Sequence, residues 1–101
     1  MQINPFPIRL KQARTKAGIS QKELGIRLGM DESSVSSRIN HYEKGRHMPD
    51  IQTIRQMAEE LDVPMAYFFC DTEKIAGILC LIEKMPKDAV DKLLVQLQES
   101  N

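Results

Sequence analysis

The sequence predicts an all-α chain: a five-helix bundle followed by a C-terminal helical hairpin. Three observations carry that expectation. Apolar residues recur at helical spacing in seven successive segments. The segments open on helix-starting residues and three of them close on glycine. Strand signals are nearly absent, with no alternating β-branched run and no Asn-Gly or Asp-Gly turn.

Pro7 can open the first helix, with Leu10, Ala13 and Ala17 on one face and Gly18 as its stop. Ser20-Gln-Lys-Glu23 reads as a capping box, the hydroxyl taking the Glu23 amide and the carboxylate returning to the Ser20 amide. The second helix buries Leu24 and Leu28 and stops at Gly29. Asp31 caps a third, whose stripe is Val35, Ile39 and Tyr42, ended by Gly45. Pro49-Asp50 starts a fourth, with Ile51, Ile54, Met57, Ala58 and Leu61 on one side. Pro64 begins a short fifth with Met65, Phe68 and Phe69. Asp71 or Thr72 caps a sixth, striped by Ile75, Ile78, Leu79 and Ile82. Pro86 restarts a seventh, with Val90, Leu93, Leu94 and Leu97.

At 101 residues the chain is one domain with a short appendage, divided at 1–70 and 71–101. Its 42% hydrophobic and 28% charged residues are ordinary for a soluble globular protein. No uncharged run, Ile75–Ile82 included, exceeds eight residues, far short of the roughly 18 of a membrane span. No signal peptide is visible at the N-terminus, so a cytoplasmic location with free thiols at Cys70 and Cys80 is expected. No metal spacing, phosphate loop or nucleophile motif appears, so neither cofactor nor metal nor enzyme activity is expected. The net charge of zero is a cancellation. Residues 1–50 carry nine basic and five acidic side chains, and residues 51–101 carry five basic and nine acidic. A basic first half hints at a polyanion-facing end.

Residues 20–45 read as two short helices joined by Gly29-Met30-Asp31, with the small Gly25 where they cross and Leu24, Leu28, Met30 and Val35 facing inward. That pattern sets the steep crossing of a helix-turn-helix. The wider series resembles the Cro/phage-repressor class of helix-turn-helix transcriptional regulators, the XRE family, over roughly residues 8–69. Arg14-Thr-Lys-Ala-Gly-Ile-Ser-Gln21 resembles the family's Arg-x-x-x-Gly-Leu-Ser-Gln, and Glu23-Leu-Gly25 and Leu28-Gly-Met30 follow in order. Ser33-Ser-Val-Ser36 resembles the recognition-helix start, Glu43-Lys-Gly45 its Glu-x-Gly, and Met57-Ala-Glu-Glu-Leu-Asp-Val-Pro64 its Leu-Ala-x-x-Leu-x-Val. Between Ser36 and Glu43 the chain carries four residues more than the usual pattern. Four residues add about 6 Å and about 400° of helix, so the buried face is nearly preserved. A third helix one turn longer is expected; a longer loop before Gly45 is the alternative.

The resemblance implies sequence-specific binding of double-stranded DNA, with the third helix in the major groove. Opposite Val35, Ile39 and Tyr42, that helix carries Ser33, Ser34, Ser37, Arg38 and His41, flanked by Glu32, Ser36 and Asn40. Short serines let a backbone approach bases closely, Arg38 suits guanine and Asn40 suits adenine. Gln21, Lys44 and Arg46 fit phosphate contacts, as does His47; Lys22 reads better as solubility. Arg14 and Glu43 resemble the family's internal ion pair. Ile75–Ile82 is apolar all round and needs cover on every side. A second chain is the expected cover, through Ile75, Ile78, Leu79, Leu81, Ile82, Val90, Leu93, Leu94 and Leu97. The function expected is a homodimeric repressor on a pseudo-palindromic operator. The alternatives are an antitoxin or restriction-controller regulator whose C-terminal segment binds a partner protein, or an adaptor without DNA binding.

Overall fold

The computed structural model describes residues 4–101. The absence of a signal peptide was read partly from residues 1–3, which lie outside that range. Among the described residues there are six α-helices, one 3-10 helix and no strand. They are α1 (Phe6–Lys16), α2 (Gln21–Arg27), α3 (Val35–Glu43), α4 (Ile51–Leu61), the 3-10 helix η1 (Met65–Phe69), α5 (Glu73–Glu83) and α6 (Lys87–Glu99).

Several helix ends follow from side chains read in the sequence. Ser20 Oγ accepts from the Glu23 amide at 3.0 Å, Asp50 Oδ1 from the Thr53 amide at 2.8 Å and Thr72 Oγ1 from the Ile75 amide at 3.3 Å. Each satisfies an amide with no partner inside its helix. The capping box at α2 is half formed. The Glu23 carboxylate turns away to accept from Arg27 Nε at 3.0 Å, one turn along the helix.

Four element expectations are corrected. The third helix begins at Val35 rather than just after Asp31. Asp31 Oδ1 takes the Ser33 amide and its carbonyl takes the Ser34 amide, which draws residues 31–34 into a turn. Asp and Ser compete with helical backbone in this way. The first helix starts at Phe6 and closes before Ala17, which is exposed. The fifth is a 3-10 helix that buries Tyr67 and Phe68, leaving Phe69 exposed and Met65 half-buried. Ile51, placed on the α4 stripe, is exposed at the helix's first residue. At its far end α3 runs helically through Glu43. The four additional residues therefore extend the helix and not the loop, and Ile39 and Tyr42 are buried beside Val35.

The core gathers Phe6, Leu10, Leu24, Ile39, Met57 and Phe68, all fully buried, from five elements. Phe6 and Phe68 pack with ring centroids 5.4 Å apart, which ties the start of the bundle to its end. Each such side chain contributes about 1.5–3 kcal/mol by leaving water. Beyond the bundle the packing thins. Ala76 is the one buried residue of α5, and α6 has none. The two C-terminal helices follow one another across a short turn at Lys84–Pro86, with few close approaches between their backbones. The molecule is therefore elongated, 52 × 34 × 22 Å, with a radius of gyration of 15.3 Å. A compact domain of this length has about 13 Å.

Candidate nucleic-acid interface

The site begins with a crossing. A Cβ built on Gly25 would overlap Val35 Cγ2, so only glycine lets α2 and α3 approach this closely. Gly29 supplies the turn between them at φ +81°. The Met30 amide returns to the Gly25 carbonyl and the Gly29 amide to that of Ile26, a Schellman closure of α2. Val35, Ile39 and Tyr42 then face the core, and the remaining faces of α3 are turned outward.

Ser33 and Ser34 in the turn, and Ser36, Ser37 and Arg38 on the helix, are all exposed. Asn40 and His41 are half-buried. Arg38 leans along its own helix toward the Tyr42 hydroxyl, at 3.4 Å. His41 and His47 lie with ring centroids 5.4 Å apart at the end of α3. Lys44 and Arg46 are exposed in the turn that follows, where the Arg46 amide closes onto the His41 carbonyl.

Arg14 and Glu43 meet behind this surface. Nε and one terminal nitrogen of Arg14 donate to the two Glu43 carboxylate oxygens at 2.6 and 3.1 Å, and another donates to the Ile19 carbonyl at 2.9 Å. The Glu43 side chain is 3% exposed. Gln21 completes the group, its amide donating to Glu43 Oε1 at 3.0 Å and lying 3.4 Å from Asn40 Oδ1. Gln21 is thus half-buried and held internally at the start of α2, a role its sequence position did not reveal.

The electrostatics follow from these pairings. Glu23 is tied to Arg27, Glu43 to Arg14, Asp31 to the Ser33 amide, and Glu32 to Lys22 Nζ at 3.3 Å. Arg38, Lys44 and Arg46 are exposed with no ion-pair partner among the described residues. The local excess of positive charge therefore lies along α3 and the turn after it. The arrangement offers short hydroxyls, one guanidinium and flanking cations on an exposed helix face and the turns beside it, which suits base edges and phosphates rather than bond-breaking chemistry. Among the described residues no group of three or more His, Cys, Asp or Glu could hold a metal.

One polar residue went unnoticed in the sequence. The Arg9 side chain is 3% exposed, as deeply buried as that of Glu43. It sits in the register of Phe6, Leu10 and Ala13, and a charge in an apolar register is the signal that could have flagged it.

Residues 10–68 match the family model described as Helix-turn-helix. The chain belongs to the helix-turn-helix family. The family and fold are those of non-enzymatic DNA-binding proteins. The chain is 33% identical over 78 residues to an HTH-type transcriptional regulator of Sinorhizobium medicae, covering 73% of this chain and 53% of that protein. It thus spans about half the length of that relative. It is 21% identical over 98 residues to the cryptic phage CTXphi transcriptional repressor RstR of Vibrio cholerae, covering 92% and 85% of the two chains. The crystal structure of the transcriptional regulator BswR superposes with a TM-score of 0.88 at 39% identity, covering 93% of each chain. The likeness to BswR includes most of the C-terminal helices, which lie outside the family match.

Proposed function

We propose that this protein is a cytoplasmic, sequence-specific transcriptional repressor that binds a pseudo-palindromic operator as a homodimer. The observation that carries the reading is the exposed face of α3. Ser36, Ser37 and Arg38 are exposed on a helix whose other side is anchored by Val35 and Ile39, and Ser33 and Ser34 are exposed in the turn that leads into it. Arg38 reads a guanine, Asn40 and His41 touch bases at the edge of the groove, and Lys44 and Arg46 hold phosphate. Gln21 and Glu32 border the site. Similarity to a phage repressor supports repression over activation.

The dimer reading is supported by the C-terminal helices. Ile75, Ile78, Leu94 and Leu97 are about half exposed in the single chain, and Leu81 is 70% exposed. Leu79, Ile82, Val90 and Leu93 border them, half-buried. Val95 is also half exposed, but it lies on another side of α6 beside Asp91, Lys92 and Gln96. The face of leucines and isoleucines calls for cover. Two-fold pairing there would set two copies of α3 in successive major grooves, about 34–36 Å apart.

Selection from random duplex DNA tests the reading. A two-fold symmetric site should be enriched. Arg38→Ala should lower affinity by about 1–3 kcal/mol and relax preference at one base in each half-site. Failure to enrich any sequence would overturn it. A monomer in sedimentation at high micromolar concentration would transfer the C-terminal face to a partner protein, as in an antitoxin.

A further inference from the structure

We infer that Arg9 and Glu73 form a latch that fixes the direction of the C-terminal helices and so sets the half-site spacing the dimer accepts. This rests on the dimer reading above. Between η1 and α5 the chain passes through a short hinge, residues 70–72. Arg9, on α1, grips both sides of it. Its Nε donates to the Cys70 carbonyl at 3.1 Å, and a terminal nitrogen donates to Glu73 Oε1 at 2.7 Å and to Gln12 Oε1 at 2.9 Å. Gln12 donates in turn to both Glu73 oxygens at 2.9 and 3.2 Å, and the Tyr67 hydroxyl lies 3.3 Å from Gln12 Oε1. Glu73 is the first residue of α5.

Packing alone does not fix that helix. Ala76 is its one buried residue, and a cavity of about 440 Å³ opens between α5, α1 and the end of α4. Farther along, Cys80 is half-buried against the bundle, and the one ion pair there among the described residues is an exposed Lys84–Asp62 contact at 3.8 Å. Such pairs contribute little. Hydrogen bonds to charged groups are strong and directional, and Arg9 makes its own from a buried position. The latch therefore acts at the base of a lever. A small rotation at the hinge is magnified across α5 and α6, and the separation of the two α3 helices changes with it. Arg9 and Glu73 are positioning residues; neither is placed at the DNA surface.

The test is selection from random duplex DNA with the native chain, Glu73→Ala and Glu73→Gln, each checked for dimerisation by sedimentation. Glu73 is exposed, and its removal leaves the buried Arg9 guanidinium its bonds to the Cys70 carbonyl and Gln12 Oε1. The native chain should return paired half-sites at one spacing. Glu73→Ala should return the same half-site sequence with the spacing spread over neighbouring values, its preference for the native spacing reduced roughly tenfold, the scale of one charge-assisted hydrogen bond. Glu73→Gln, which can still accept from Arg9 and Gln12, should restore the single spacing. A dimeric Glu73→Ala protein with the native spacing profile would overturn the latch and leave the dimer reading intact. Unpaired half-sites from a monomeric native chain would overturn both.

Discussion

Glu43 shows how one side chain can join structure to the candidate site. Its carboxylate accepts from Arg14 and Gln21 while almost wholly buried, at the last residue of α3. Removing one partner of such a pair strands the other charge, at a cost of about 3–5 kcal/mol. Glu43→Ala should lower the urea midpoint by a matching amount, whereas Lys22→Ala, which breaks an exposed pair, should leave it nearly unchanged. Equal effects in urea titrations would refute the distinction. Two other carboxylates carry pH dependence. The Thr53 amide holds the Asp50 carboxyl below its usual value, and hydrogen bonds from Arg9 and Gln12 do the same for Glu73. A folded-state pKa that is lowered favours folding above the unfolded value and loses that contribution as pH falls through the folded one. The thermal midpoint should therefore decline as pH drops below about 4.5, the upper edge of ordinary carboxylates. It should decline less steeply in Asp50→Asn, which keeps a cap but cannot titrate. Parallel curves would show that Asp50 has no part in it.

At the scale of elements, the crossing of α2 and α3 depends on one missing methyl group. Gly25→Ala gains up to about 1 kcal/mol of helix propensity. It must also displace the fully buried Val35, and overpacking of this kind costs about 1–3 kcal/mol. Net destabilisation is expected in equilibrium unfolding. Val35→Ala, which removes the overlapping methyl, should make the double variant less unstable than the two single losses combined. Strict additivity would contradict the geometry. The crossing was legible in the sequence because glycine at that step has a steric reason. So were the caps at Ser20 and Asp50, which act within a single turn. The late start of α3 was not legible. Asp31 can cap a helix or close a turn, and the choice lies in backbone angles that residue identity leaves open.

For the whole molecule, the elongated shape leaves the C-terminal helices without a core of their own. Leu81→Glu combined with Leu97→Glu should convert a dimer to a monomer in sedimentation and weaken operator binding. Helix content over residues 6–69 and its cooperative melt should be retained. A variant that still sediments as a dimer would place the interface elsewhere.

The sequence by itself determined the helical class, the order of elements, the helix-turn-helix and the polar face of α3. All of these rest on local periodicity and on residues with backbone or steric requirements of their own. The zero net charge also resolved there into a basic first half and an acidic second half. Tertiary structure alone decided that Gln21 turns inward to Glu43, that Arg9 is buried across the hinge and that α6 stands away from the bundle. Those outcomes depend on contacts between segments as many as 64 residues apart. Such contacts leave no local period, and a polar side chain shows in sequence only what it can bond, not which distant group the fold brings to it.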